Sequence, residues 1–430
     1  MCEGRHSLAA VYHAMMGRAS WAACRRGQSA STAEWAVPRE RTAMAERGEE
    51  MRQELLAAVA RIRPEIERAS GEGESLMTLP ASSVDMLADS GLLRMKLPEV
   101  LGGWEADLIT QYEVVEAMAY ADAAAAWCLM IGATCTALLG AYLPDAAVEE
   151  IFRGPGVPRA AGILAPTGSA HRVEGGYTVS GRWAFASGVR HSDWVSVGAL
   201  VPDPPSDRPR HLMFTLPTSR ARLHDNWDTV GLRGTGSCDV TLEDVFVPAS
   251  FTFDMLTGEP ARGGPLYRLG FPGFVAYEHA AFAIGVARRA LDALLELAPA
   301  KMRGLPPSPL VARGAFQRDL GELDMRLRAA RALALERNRA AWATVTAGSK
   351  PDVALQAELR GVATYATDVA VDVATWAYRY AGGGAVYKPN VLERAVRDLY
   401  TATQHFMVSN SAYETHGQAL LSMTGINPLS

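Results

Sequence analysis

Cysteine is scarce in this chain of 430 residues, with five in all, at positions 2, 24, 128, 135 and 238. None stands in a CxxC pair, so neither a disulfide framework nor a thiolate metal site is expected, and reduced thiols in the cytoplasm are the better reading. An excess of charge is also lacking. Forty-two Lys and Arg against 47 Asp and Glu leave a formal charge of −5, which gives no electrostatic reason to bind nucleic acid or an anionic membrane. There is no Walker loop, no HExxH and no Gly-x-Ser-x-Gly elbow, and the nine histidines are scattered; metal and phosphate-loop chemistry therefore have no motif to rest on. A long unbroken apolar run is missing as well. The longest, Ala123 to Tyr142, is interrupted by Gly132, Thr134, Thr136 and Gly140, which suits a helix buried in protein rather than in lipid. Residues 1–44 carry Arg5, Arg18, Arg25, Arg26, Arg39 and Arg41 among small polar residues. They lack the apolar core and cleavage site of a secretory signal and are expected to form a flexible N-terminal extension.

What is present is helical pattern on either side of a different middle. Leu55, Val59, Ile62 and Ile66 recur at helical spacing, with Pro64 expected to kink or divide their helix. Further helices are predicted from Pro80 to Ser90, stopped by Gly91, from Leu108 to Ala121, and then over the apolar run with Trp127. From Arg159 to about Ser250 the pattern changes to short period-two runs: Ile163-Leu164, Tyr177–Val179, Trp194–Leu200, Leu212–Leu216 and Val240–Val247. Glu174-Gly175-Gly176 reads as a hairpin turn. No strand–helix alternation appears, which argues against a doubly wound sheet. From Pro265 long helices return, predicted at 271–300, 309–347, 352–382 and 390–423 with short breaks, the signature of an antiparallel four-helix bundle. The chain thus divides into the extension 1–44, a helical part 45–158, a β part 159–264 and a bundle 265–430.

Three stretches stand out chemically. Gly181-Arg182-Trp183-Ala184-Phe185-Ala186-Ser187-Gly188 runs on through His191 to Trp194. Aromatics with one small hydroxyl suit a wall for a flat ligand, and equally a strand pair with core aromatics. Gly231-Leu232-Arg233-Gly234-Thr235-Gly236-Ser237 is glycine-rich but lacks the dinucleotide spacing and runs into a strand. Its amides suit a phosphate or a ring edge, or simply a tight turn. The third stretch places Arg394, Arg397, Thr401 and His405 on one face of the last predicted helix. That face is either a solvated stripe or the wall of a polar cleft.

These stretches, with Asp244-Val245-Phe246-Val247-Pro248 and the Arg397-Asp398 pair, resemble the acyl-CoA dehydrogenase superfamily over roughly residues 46–425. The resemblance implies a mostly α fold with a central β domain: an N-terminal helical domain, a middle antiparallel β-barrel and a C-terminal four-helix bundle. Two departures matter. Where dehydrogenases of this fold carry a catalytic glutamate after the Arg-Asp pair, this chain reads Gln404-His405-Phe406, and the flavin-domain motif is altered to Ala165-Pro166-Thr167-Gly168-Ser169-Ala170. Gly-Arg-Trp-x-Phe-x-Ser-Gly with a late His resembles instead the two-component flavin monooxygenases of the superfamily, the oxygenase components acting on 4-hydroxyphenylacetate, steroid-derived phenols and dibenzothiophene.

By that resemblance the protein takes reduced FMN or FAD from a separate NAD(P)H:flavin reductase, uses molecular oxygen through a flavin C4a-hydroperoxide, and hydroxylates an aromatic or phenolic small molecule. Ser187 is then expected near flavin N5 and His405 as the acid–base group at the substrate. Flavin contacts are expected from Trp183, Phe185, Gly188, Arg233, Thr235, Gly236 and Ser237, and a substrate pocket from Trp104, Trp127, His191 and Trp194. A cytoplasmic homotetramer is implied. Two alternatives remain at this level: an acyl-CoA dehydrogenase with a displaced base, for which Glu278 is the candidate, and a flavin-free scaffold of the same fold.

Overall fold

The apolar positions read from the sequence converge on two cores. The computed structural model describes residues 39–429 except 203–208, 255 and 257. Of the expected extension, residues 1–38 therefore lie outside the described residues, and 39–44 already belong to the first helix, α1 (Arg39–Leu76). Pro64 does not divide α1, which runs on through it. Pro64 and Ala60, the residue four back whose carbonyl loses its N–H partner, are both exposed, so water can satisfy that carbonyl.

Helices α2 (Ala81–Asp89), α3 (Leu108–Ala121), α4 (Ala123–Tyr142) and α5 (Asp145–Ile151) follow. Asp122 separates α3 from α4 and caps the latter, accepting from the Ala125 amide at 2.7 Å and from Ser70 Oγ at 2.6 Å. By length and composition α4 is apolar enough to cross a membrane, yet most of it is buried inside the protein. The C-terminal part holds α6 (Ala276–Leu297), α7 (Gly314–Thr346), α8 (Val353–Ala381), α9 (Val391–Ala402) and α10 (Ser411–Leu420). Their alanine-rich faces (Ala280, Ala283, Ala287, Ala363, Ala366, Ala370) bring α6 and α8 close together. The same apolar cluster takes in Leu55 and Ile66 of α1, Tyr112 of α3 and Trp127 of α4, so the N-terminal helices and the bundle share one core.

A second core belongs to a seven-stranded sheet of order β5-β6-β2-β1-β3-β4-β7, where β1 is Ala160–Val173, β2 Gly176–Trp183, β3 Trp194–Val201, β4 Arg210–Pro217, β5 Arg222–Leu223, β6 Val240–Pro248 and β7 Thr252–Phe253. The hairpin at Glu174-Gly175 forms as expected, with Val173 opposite Gly176. The expected all-antiparallel barrel is corrected in one respect: β1 and β3 run parallel. The cause lies in the connection. After pairing antiparallel to β1, the chain leaves β2 at Trp183, crosses over the start of β1 and re-enters on its other side at Trp194. The ten residues of that crossing carry Phe185, Ser187, Gly188 and His191.

Candidate functional site

The crossing loop is held from beneath by the glycine-rich loop. The Ala186 amide donates to the Cys238 carbonyl at 3.2 Å and the Gly188 amide to the Thr235 carbonyl at 3.0 Å. Two non-glycine residues pay for this geometry in backbone strain, Phe185 at φ 68° and Leu232 at φ 51°, both in the left-handed region disfavoured for L-residues. The glycine-rich loop rests in turn on α9. A Cβ at Gly231 would lie 2.1 Å from the Arg397 carbonyl oxygen, so only glycine permits that approach. The Leu232 amide donates to Asp398 Oδ1 at 2.6 Å. Burial, with Asp122 nearby, pushes the Asp398 carboxyl up to about 7, against the opposing effect of that amide.

From α4, Trp127 reaches the crossing loop and donates its Nε1–H to Ser187 Oγ at 3.1 Å. Ser187 Oγ lies 2.8 Å from Ser237 Oγ, which lies 2.7 Å from Thr235 Oγ1, and Thr235 Oγ1 donates to the Leu232 carbonyl at 2.8 Å. Three buried hydroxyls thus form one chain. On its other side the Trp127 ring meets three rings edge-on: His279 at 5.3 Å, Phe282 at 5.1 Å and His405 at 5.6 Å. His279 and His405 stack at 4.4 Å, and Phe406 lies 4.8 Å beyond.

His405 is not on a helix, a correction to the predicted face of Arg394, Arg397, Thr401 and His405. The helix α9 ends at Ala402, and His405 begins a short 3-10 turn over Phe406–Val408, its Nδ1 accepting from the Met407 amide at 3.3 Å. Protein atoms crowd the half-buried ring and push its pKa down to about 4, so it is neutral at pH 7. His279 is fully buried, and burial first, then the neighbouring His405 and Lys96, hold it well below the usual imidazole value. Sequence reasoning passed over His279 because it sits in an apolar helix and reads as core; its stacking partner lies in a separate turn.

The other expected residues separate into two groups. His191 joins Ser187, Gly188 and Cys128 around a small cleft. Its Nδ1 is buried with no partner among the described residues, and burial followed by Arg159 pushes its pKa down to about 4. Phe185 is 71% exposed, edge-on to Trp227 at 6.2 Å. Arg233 ties its own loop down, donating to Asp228 Oδ1 at 2.6 Å and to the Thr229 carbonyl at 2.8 Å, and Gly236 supplies a left-handed turn at φ 56°. Three tryptophans do not join them. Trp183 is wholly buried in the sheet, donating to the Gly198 carbonyl at 2.7 Å, and its ring occupies the space left by Gly168 and Gly181. It therefore offers no face to a ligand. Trp194 stacks on Phe251 at 5.7 Å within the sheet core, and Trp104 packs on the helical core without a ring contact to Trp127 or His405 among the described residues. Glu278, the alternative base, is also committed. Its Oε2 takes Lys96 Nζ at 3.0 Å and Thr134 Oγ1 at 3.1 Å, out of reach of solvent.

Known proteins resemble this chain over most of its length. The family descriptions "Acyl-CoA dehydrogenase, N-terminal domain" and "Acyl-CoA dehydrogenase, C-terminal domain" match residues 46–147 and 277–410. The chain is 33% identical over 349 residues to indole-3-acetate monooxygenase of Pseudomonas putida, covering 81% of this chain and 88% of that one. It is 30% identical to the Acinetobacter baumannii enzyme of the same name, covering 82% and 90%. Among solved structures, the 3-HSA hydroxylase of Rhodococcus sp. RHA1 superimposes with a TM-score of 0.80 at 25% identity, over 88% of this chain and 99% of that one. XiaF from Streptomyces sp., in complex with FADH2 and glycerol, gives 0.81 at 25%, over 90% and 99%. With relatives of this kind over most of its length, the chain belongs to the acyl-CoA dehydrogenase family, in its branch of flavin-dependent monooxygenases.

Proposed function

We propose that the protein is the oxygenase component of a two-component system that hydroxylates a small aromatic molecule, using reduced FMN or FAD from a separate reductase. The observation that carries this is the cluster of rings from Trp127, Phe282, His279, His405 and Phe406 packed directly behind Ser187. Its aromatic character suits contact with a flat apolar ring, and the carboxylate next to His279, Glu278, is held by Lys96 and Thr134 rather than set to abstract the α-proton of a thioester. The names of the relatives point to indole-3-acetate as the first compound to try.

The residues fit a flavin edge at the crossing loop. Ser187 lines the neighbouring cleft with a hydroxyl fixed by Trp127 and Ser237, in a loop whose Phe185 takes a left-handed φ of 68°. Ser187, Gly188, Phe185 and the loop of Arg233, Thr235, Gly236 and Ser237 are the residues proposed to hold the flavin, which when bound supplies the activation of oxygen, as a C4a-hydroperoxide. The chain's own contribution is to keep water from the ring cluster and to handle a proton at the substrate. His405 is proposed for that second task. Its neutral imidazole is the form able to take a proton at pH 7, and with Nδ1 engaged by the Met407 amide, Nε2 is the atom left to meet a ligand. Homotetramer formation is proposed on the resemblance alone.

The test supplies the purified protein with reductase, NAD(P)H, flavin and oxygen and follows indole-3-acetate and simple phenols by mass. Product one oxygen heavier is the expected outcome, with rapid mixing of protein-bound reduced flavin and oxygen showing a transient near-ultraviolet adduct. His405→Ala should bind reduced flavin normally and lose product formation by about 10²–10⁴-fold. Normal turnover in that variant would remove His405 from the proposal; reduction of bound flavin by an acyl-CoA under anaerobic conditions would replace the oxygenase reading with the dehydrogenase one.

A further inference from the structure

We infer that Thr235 and Ser237 fix Ser187 as a hydrogen-bond acceptor, and thereby set a preference for the reduced over the oxidised flavin. The inference rests on the proposed position of the flavin beside Ser187.

The hydrogens in the hydroxyl chain can be assigned by elimination. The Leu232 carbonyl only accepts, so the contact at 2.8 Å uses the hydrogen of Thr235. Thr235 then has no hydrogen left for Ser237, so the contact at 2.7 Å uses the hydrogen of Ser237. By the same step the contact at 2.8 Å between Ser237 and Ser187 uses the hydrogen of Ser187. Trp127 Nε1–H only donates, and it occupies one lone pair of Ser187 Oγ at 3.1 Å. What Ser187 retains is a single lone pair and no hydrogen. All three hydroxyl residues are buried, so water is a poor substitute partner and reversal of the chain would leave a donor or acceptor unsatisfied.

A group meeting Ser187 must therefore bring its own hydrogen. The N5 atom of a reduced flavin carries one; the N5 atom of an oxidised flavin carries only a lone pair, which would face the lone pair of Ser187. The hydroxyl chain thus acts as a redox-state filter at the cofactor edge, with the Thr235 and Ser237 hydroxyls as positioning groups that reach flavin N5 only through Ser187. This orientation suits an enzyme that takes up reduced flavin from solution and releases it oxidised.

The experiment measures dissociation constants for oxidised FMN and FAD, and anaerobically for the reduced forms, with the full chain. In the wild type the reduced form should bind more tightly. Ser237→Ala leaves the Ser187 hydrogen without its acceptor and free to turn toward the flavin. The ratio of oxidised to reduced dissociation constants should then fall about tenfold, which for a two-electron couple lowers the midpoint potential of the bound flavin by about 30 mV. Thr235→Val should act in the same direction, because the Ser237 hydrogen then has only Ser187 to serve. Ser237→Thr restores the chain and should restore the ratio, which separates polarity from simple loss of packing. A ratio unchanged in Ser237→Ala, while Ser187→Ala weakens the reduced form, overturns the inference and leaves the flavin position standing. If Ser187→Ala changes neither constant, the flavin is not beside Ser187, and the inference falls together with that position.

Discussion

Replacing Lys96 by Met tests the electrostatics of the wall behind His279. Lys96 Nζ is wholly buried and gives its three hydrogens to Glu278 Oε2 at 3.0 Å, Thr134 Oγ1 at 2.8 Å and the Phe274 carbonyl at 2.8 Å. It also lies over the Phe274 ring at 4.2 Å. At 3.0 Å the attraction to Glu278 is about 5.5 kcal/mol with an effective dielectric of about 20, set against a desolvation penalty of several kcal/mol for each ion. The pair as a whole is therefore near neutral for stability, whereas removal of one member leaves a charge stranded. Glu278 Oε1 already has no hydrogen-bond partner among the described residues, so only the Thr134 hydroxyl would remain on Glu278. Lys96→Met should destabilise by about 3–5 kcal/mol, and Lys96→Met with Glu278→Leu should recover most of that loss. Burial pushes the Glu278 carboxyl up even with Lys96 present. Without Lys96 its folded pKa rises further above the unfolded value, so the variant is relatively stable at low pH and loses stability as pH rises through that folded pKa. Urea or thermal unfolding at pH 5.5 and pH 8 reads both effects. Equal stability of the single and double variants, or a deficit in Lys96→Met that does not shrink at the lower pH, would refute the reasoning.

Two further outcomes are expected. His405→Gln should make unfolding less sensitive to acid: the folded imidazole stays neutral to about pH 4 while the unfolded one charges below its usual value near 6.5, so the wild type loses stability over that window and the variant loses less. Thermal midpoints of both proteins from pH 7.5 to 4.5 check this, and parallel curves would count against it. Gly231→Ala should push the glycine-rich loop off α9, because its Cβ would lie 2.1 Å from the Arg397 carbonyl oxygen. A loss of about 1–3 kcal/mol and weaker binding of reduced flavin are expected, measured by unfolding and by anaerobic titration.

Helical periodicity was enough to place α3 at Leu108–Ala121 and the bundle helices α6, α7 and α8, since each buries one face over many turns, but not the break that splits the predicted helix 390–423 into α9 and α10. The strands were equally visible where apolar runs alternate with turns, as at Val173–Gly176. What one chain read in isolation does not carry is the choice of face where a glycine partner decides it. Trp183 looked like a ligand wall because its motif is aromatic, yet Gly168 and Gly181 vacate the volume its ring fills. His405 looked helical because the spacing from Arg394 continues unbroken, and no Gly or Pro announces the end of α9 at Ala402. The pairing of His279 with His405 joins α6 to a turn more than a hundred residues later, and no local pattern records it. The Ser187 loop was legible as chemistry; its hydrogen-bond polarity depends on Ser237, Thr235 and Trp127 together.

The bond from Leu232 to Asp398 spans 166 residues of sequence. Loops ordinarily exchange their amide hydrogens with solvent through small local openings, while helix and strand cores exchange only when larger units come apart. Here an amide in a loop is buried and bonded to a helix of the bundle, and its neighbour Gly231 is wedged against that helix. Its exchange is thereby coupled to separation of the two parts of the protein, so hydrogen–deuterium exchange at this one loop position reports on the cohesion of the whole enzyme.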